Sequence, residues 1–320
     1  MTDIPLEKIR EARAFLKEKR IQSPLVYLDT NIKAALGNDI YLKADCLLPS
    51  GSFKIRGAMY CLSRLSPEQR AKGVVAYSTG NHSQGVALAA RTLGIKATIV
   101  MSPDALPFKV EATRGYGAEV IMSTPQKRKQ DAEELAKKTG AFMVSPFDHP
   151  DIITGQGPAG LEILEELEPG AIFVPIGGGG LISGIAAAVK QINPSIRMIG
   201  VEAKLEDDAA RTFKTKKLVA MPGPSESIAD AIKIPSLGTY TYPLVMKYVD
   251  DIVTVGEKEI VKATLMTLER GHLVCEPSGA LGLAAALTYT HGIDRTKPVV
   301  CLASGGNILL STICQLLSTR

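Results

Sequence analysis

Lys54 stands in the run Pro49-Ser50-Gly51-Ser52-Phe53-Lys54-Ile55-Arg56-Gly57-Ala58, between Phe53 and Ile55 rather than among the charges of an exposed helix face. Such a lysine can condense with an aldehyde to an imine, provided that its surroundings keep the amine neutral. Three later segments have the composition of ligand loops: Ser78-Thr79-Gly80-Asn81-His82, Gly177-Gly178-Gly179-Gly180 and Ser304-Gly305-Gly306-Asn307. The four glycines follow the strand-like Ala171 to Ile176 and precede the helix-like Leu181 to Ala188. A plain strand-to-helix turn needs one or two glycines. Four carry a larger entropic cost, which makes sense when backbone N–H groups must converge on an anion at a helix N-terminus. A phosphate is the natural guest.

The same succession of strand, glycine loop and helix, with Glu202 ending the next strand, also describes a dinucleotide site. However, Ser183 stands where the third glycine of G-x-G-x-x-G is required, and no Walker-type lysine follows the glycines. A nucleotide would also leave Lys54 and the Ser304 loop without a role.

The elements that must position these loops read as an α/β chain. Apolar runs at 40–44, 74–78, 97–100, 119–122, 172–176, 198–202 and 299–303 are predicted strands, separated by helices such as 83–93, 126–139, 157–166 and 181–191. Four closely spaced strand and helix units between Gly73 and Val144 would make a small sheet of their own. This predicts a large domain from 1–72 and 145–320, with a small domain, 73–144, inserted in it and closing over a cleft. Residues 204–251, rich in Pro, Gly and Ser, are expected to be irregular.

At 320 residues, 45% hydrophobic and 22% charged, with a net charge of +4, the chain has an ordinary globular balance. It has no basic tract for nucleic acid and no apolar run near the ~20 residues of a membrane span. Met1-Thr2-Asp3-Ile4-Pro5-Leu6-Glu7 lacks the pattern of a secretory signal, so a cytoplasmic location is expected. Cys46, Cys61, Cys275, Cys301 and Cys314 form no Cys-x-x-Cys pair and are expected to be reduced.

Taken in order, the motifs resemble the fold type II pyridoxal-phosphate enzymes of the serine/threonine dehydratase and serine racemase group over nearly the whole chain. Ser52 to Ala58, Ser78 to His82, Gly177 to Gly180 and Ser304 to Asn307 carry the match, supported by Ala112 to Ala118, Gly155-Gln156-Gly157 and Glu276 to Ala280. The resemblance implies two open, mostly parallel twisted sheets flanked by helices, with pyridoxal 5'-phosphate as cofactor. Lys54 would carry the cofactor as an imine and then act as the base at Cα. Gly177, Gly178, Gly179 and Gly180 would cradle its phosphate, Asn81 its ring oxygen and Ser304 its pyridine nitrogen, with Phe53 and Glu276 as further contacts. Ser78, Thr79, Asn81 and His82 would receive the substrate, His82 as an orienting group.

A serine facing the pyridine nitrogen makes the ring a weaker electron sink than an aspartate would, which suits expulsion of a leaving group from Cβ. The resemblance thus implies an ammonia-lyase that dehydrates a β-hydroxy amino acid such as L-serine or L-threonine to a 2-oxo acid and ammonia. The alternatives are an amino-acid racemase on the same scaffold and a non-catalytic cofactor-binding protein. At the Thr79 position racemase-like members carry serine and dehydratases usually alanine; the stiff, crowded threonine favours elimination. Glu202-Ala203-Lys204-Leu205-Glu206-Asp207-Asp208 resembles the group's divalent-cation loop, with the carboxylates of Glu202 and Asp208 and the carbonyl of Glu206 as oxygen ligands for Mg²⁺ or Ca²⁺. Lys204 and Leu205 depart from its usual pattern. A homodimer is the group's habit. The substrate side chain is expected against the small domain and the segments Ser145 to Thr154 and Pro224 to Ala231, with Asp148 and His149 in contact.

Overall fold

The computed structural model describes residues 3–28, 31–223 and 225–318. Met1 and Thr2 of the leader segment, and Pro224 of the segment expected beside the substrate, lie outside these. Two sheets organise the chain. The six-stranded sheet has the order β1-β2-β10-β7-β8-β9, where β1 is Leu25–Tyr27, β2 Ile40–Lys43, β7 Ala171–Pro175, β8 Arg197–Ala203, β9 Asp251–Val255 and β10 Val299–Leu302. Among the described residues only the β1–β2 pair of its strands is antiparallel. The second sheet, order β5-β4-β3-β6, is parallel throughout and uses β3 (Val74–Tyr77), β4 (Ala97–Met101), β5 (Glu119–Met122) and β6 (Phe142–Met143).

Alternation along the central strands separates two cores. Phe173, Ile199 and Cys301 pack on one face of the large sheet against helices Glu257–Gly271 and Leu281–Ala286. Ile172, Val174, Met198 and Val300 pack on the other, against helices Gly180–Ile192 and Pro158–Glu166. The strands are buried on both faces, as parallel sheets require. On the small sheet, Val74, Ala76 and Ile99 pack against helices Lys54–Ser63 and Asn81–Leu93, while Val75 and Val100 meet helix Arg128–Thr139. The core of the small sheet therefore draws in Ile55, Met59 and Leu62, which precede residue 73 in sequence.

Three strands lie outside the predicted set: β1, β6 and β9. The two-residue β6 and three-residue β1 are too short to show a period, and β9 is only partly buried. Residues 204–251 are largely irregular but contain helices Asp208–Thr215 and Thr241–Tyr248. All five thiols are free. Among the described residues no helix is long and apolar enough to cross a membrane.

Candidate active site

The cleft begins where the loop bearing Lys54 is stitched to the loop after β10. Phe53 N–H donates to the Ser304 carbonyl at 2.9 Å and Gly306 N–H to the Gly51 carbonyl at 2.8 Å. Glu276 joins the same floor, its N–H donating to the Gly305 carbonyl at 2.9 Å. Lys54 opens helix Lys54–Ser63 and points into the cleft, where its Nζ donates to the Pro146 carbonyl at 2.7 Å and lies 5.0 Å from the centre of the Phe53 ring. Burial lowers its pKa to about 8.

Gly177 to Gly180 line the opposite wall, at the N-terminus of helix Gly180–Ile192. Gly179 has φ +86°, and a Cβ there would stand 2.8 Å from Leu237 Cδ2. A Cβ on Gly178 would stand 2.4 Å from Phe147 Cδ2. Glycine is thus required by the protein walls behind the loop as well as by any guest in front. No side chain caps this helix, so its first N–H groups remain available to an anion.

A second helix end opens into the same cleft. Ser78 to His82 lead into helix Asn81–Leu93, which also has no side-chain cap. The loop is braced from within: Gly80 N–H donates to Ser78 Oγ at 3.1 Å, and Ser83 Oγ to the Gly80 carbonyl at 2.6 Å. Asn81 donates through Nδ2 to Glu276 Oε1 at 2.5 Å and accepts at Oδ1 from Asn307 Nδ2 at 2.7 Å. One of its two N–H bonds remains for a ligand. Burial, with Asp230 adding, raises Glu276 to about 7, and its Oε2 has no partner. His82 is buried, with a ring nitrogen 3.2 Å from the Val144 carbonyl. Burial first, and Lys54 second, lower its pKa to about 3, so the ring is neutral.

Phe53, Lys54, Ser78, Thr79, Asn81, His82, Gly177 to Gly180, Glu276 and Ser304 therefore share one cleft. Glu202, Glu206 and Asp208 lie apart, at the end of β8 and in the loop behind it. Glu202 accepts from Ala209 N–H at 3.1 Å and from Ala210 N–H at 2.8 Å, while Glu206 Oε1 and Asp208 Oδ2 are buried without partners. Burial is the main cause that raises Glu202 well above the ordinary carboxylate range and Asp208 to about 7.

The expectation for Asp148 and His149 is corrected. Neither lines the cleft. Asp148 accepts from the N–H groups of Thr239, Tyr240 and Thr241 and so caps helix Thr241–Tyr248, while His149 Nδ1 accepts from Asp151 N–H at the start of helix Pro150–Gln156. Both polar side chains are consumed in folding the segment that presents Pro146 and Phe147. Asp230 and Ala231, from the expected segment Pro224 to Ala231, do line the cleft, as do Pro146, Phe147 and Ile152 from Ser145 to Thr154. Lys109, Arg128 and Lys233 also line it, from segments that carry no motif.

The residues fit pyridoxal phosphate. An amine held near neutrality, an uncapped helix end behind four glycines, a free amide N–H on Asn81 and the Ser304 side chain in one cleft offer partners for an aldehyde, a phosphate, a ring oxygen and a ring nitrogen.

Comparison with known proteins agrees. A family model described as pyridoxal-phosphate dependent enzyme matches residues 16–305. The chain is 42% identical to an L-threo-3-hydroxyaspartate ammonia-lyase of Saccharomyces cerevisiae over 89% of its own length and 88% of the relative's. It is 41% identical to an L-threonine ammonia-lyase of Thermotoga maritima, over 98% of this chain and 78% of the other. Among solved structures, maize serine racemase superposes with a TM-score of 0.91 at 39% identity, covering 99% of this chain and 97% of that one. With the motifs gathered in one cleft and the match running nearly end to end, the chain belongs to the pyridoxal-phosphate-dependent enzymes of this fold.

Proposed function

We propose that the protein is an ammonia-lyase that eliminates water from a β-hydroxy amino acid and releases a 2-oxo acid and ammonia. The observation that carries this reading is Lys54 Nζ in one cleft with two uncapped helix N-termini and the Ser304 loop. When bound, pyridoxal phosphate supplies an aldehyde carbon and a conjugated ring that acidify the substrate's Cα–H. Lys54 would tether the cofactor through Nζ, and the same nitrogen, once free, would take the Cα proton. Gly177 to Gly180 would hold the phosphate, Asn81 the ring oxygen and Ser304 the ring nitrogen, with Phe53 and Glu276 as further contacts. Ser78 to His82 receive the α-carboxylate, with neutral His82 fixing the loop through Val144.

A racemase reading has one observation in its favour. Thr79 lines the cleft and bears a hydroxyl group that could carry a proton. Incubation with L-serine decides between them: the lyase reading expects pyruvate in excess, and D-serine equal to or above pyruvate would overturn it. A protein that shows no lysine-linked cofactor absorption after cofactor is added would instead be the binding-only alternative.

Glu202, the Glu206 carbonyl and Asp208 form the divalent-cation site in this reading, supported by the two unpartnered buried carboxylate oxygens. Mg²⁺ or Ca²⁺ should raise the melting temperature of the wild type and not that of Glu202→Gln. The unit 73–144 is read as the part that closes over the substrate, the protein as a cytoplasmic homodimer. Analytical ultracentrifugation tests the subunit number.

A further inference from the structure

Outside the cleft, three groups that bind metals converge on the elements that carry and flank Lys54. Cys61 lies about two turns beyond Lys54 on helix Lys54–Ser63, while His149 and Asp151 stand at the start of helix Pro150–Gln156. One ligand atom from each, a thiol sulfur, a ring nitrogen and a carboxylate oxygen, lies within 4.8 Å of the other two. The helices come this close because glycine faces glycine: a Cβ on Gly155 would stand 2.7 Å from Gly57 Cα. Cys61, His149 and Asp151 have no part in the reaction proposed above.

Each group is prepared as a ligand. His149 Nδ1 accepts from Asp151 N–H, so the ring proton sits on Nε2 and the Nδ1 lone pair is turned inward, 4.0 Å from Cys61 Sγ. Phe142, edge to face at 5.7 Å, holds the imidazole in that orientation. Among the described residues the Asp151 carboxylate accepts no hydrogen bond and pairs with no lysine or arginine. The helix dipole accounts for an acid at this position, but not for its lying beside a thiol. Burial first, and Asp151 second, oppose ionisation of Cys61. A divalent cation reverses that opposition: it takes thiolate and carboxylate together, and the thiol proton passes to solvent.

We propose that Cys61, His149 and Asp151 form a Zn²⁺ site, distinct from the oxygen-lined Glu202 to Asp208 loop, that clamps helix Lys54–Ser63 to the segment 146–151. One sulfur, one nitrogen and one oxygen suit zinc, whereas Mg²⁺ and Ca²⁺ take oxygen ligands. A tetrahedral zinc ion, with Zn–S about 2.3 Å and Zn–N or Zn–O about 2.0–2.1 Å, holds its ligand atoms about 3.3–3.6 Å apart. Sulfur and nitrogen must therefore close by about 0.5 Å and the oxygen by no more than about 1.5 Å, which small side-chain rotations supply. Zinc replaces Asp151 N–H as the partner of Nδ1, and the freed N–H turns to water. Cys61 is 1% exposed while His149 and Asp151 are half-buried, so the ion enters from their side and water completes its fourth position. The clamp bears on the cleft because the same segment supplies the Pro146 carbonyl to Lys54 Nζ and seats Phe147 against Gly178 and Gly180. It does not depend on which reaction the cleft performs.

The test is equilibrium dialysis of the cofactor-loaded enzyme against zinc chloride in excess Mg²⁺, which occupies oxygen-ligand sites. Wild type and Glu202→Gln should alike retain about one zinc ion per chain. Cys61→Ala should weaken that binding at least about tenfold, and so should His149→Asn, which removes the imidazole but leaves a side chain able to cap the helix. X-ray absorption at the zinc edge of the loaded wild type should show one sulfur neighbour at about 2.3 Å. Zinc should also raise the melting temperature of the wild type and not that of Cys61→Ala. No retained zinc, a bound zinc without a sulfur neighbour, or equal retention by Cys61→Ala overturns the proposal, whatever the activity of the enzyme.

Discussion

An amine that must attack an aldehyde does so only in its neutral form, and burial places the Lys54 equilibrium at about 8. The rate at which cofactor-free protein takes up pyridoxal phosphate should therefore climb with pH, about tenfold per unit below that value, and level off above it. Stopped-flow absorbance would show this, and a rate flat from pH 6 upward would contradict the assignment. Lys54→Ala should bind cofactor without the borohydride-reducible link. Glu276 supplies a test of opposite sense. Its folded pKa, raised to about 7 from an ordinary 4.5, means that the folded protein holds this proton more tightly than the unfolded chain. Its contribution is intact below pH 4.5, declines between 4.5 and 7, and at pH 8 amounts to a penalty of ~3 kcal/mol. Glu276→Gln should accordingly raise the melting temperature of cofactor-free protein at pH 8 and change it little at pH 4. At this scale the sequence is legible where chemistry needs small residues beside a reactive one, as at Lys54 and Gly177 to Gly180. Lys109 and Arg128 are silent because a lone cation on an ordinary helix looks the same whether it faces water or a ligand. Asp148 misleads for the converse reason: an exposed-looking acid in a loop was committed to capping a helix more than ninety residues away.

Helix placement decides where those residues stand. Gly85 lies against the backbone of Lys54, where a Cβ would be 3.0 Å from the Lys54 carbonyl carbon. Gly85→Ala gains about 1 kcal/mol of helix propensity yet forces helix Asn81–Leu93 away from the lysine. It should reduce kcat severalfold while the cofactor stays covalently linked, which steady-state kinetics and absorbance separate. Helix Lys54–Ser63 is anchored through Arg56, fully buried with Asp45 and Glu162 at 2.8 and 2.7 Å. Burial alone would raise Glu162, but Arg56 and then Lys43 hold it at about 2, below the ordinary 4.5. That stabilisation is complete above pH 4.5 and is lost as pH falls towards 2, so acid unfolding should steepen in this window. Arg56→Ala, which leaves buried Asp45 without its cation and Glu162 with Lys43 at 2.8 Å, should cost about 3–5 kcal/mol in urea unfolding at pH 7. The long, doubly buried strands were readable because their apolar runs are continuous. β1 and β6 were not, since two or three residues acquire strand geometry from their neighbours rather than from their own pattern.

Over the whole molecule, the cleft is assembled from distant parts of the chain. Loading the cofactor-free protein with pyridoxal phosphate should slow amide exchange together at 52–57, 78–82, 177–180 and 304–307, drawn from both sheets; protection confined to one of these would refute a shared site. The fold class was legible from the alternation of apolar runs and helices, whereas strand order was not, because sequence pattern carries no record of which strand lies beside which. That order has a consequence for biosynthesis. β10, made after every other described strand of its sheet, lies between β2 and β7, near the middle of the six strands. Until the ribosome has delivered residues 299–302, a nascent chain carries a strand-wide slot through its largest core, lined by the unpaired edges of β2 and β7. Such a gap invites mispairing between neighbouring polypeptides on a polysome. Only once this closing strand has paired does the Ser304 loop stand beside Lys54, so capture of the cofactor must wait for it.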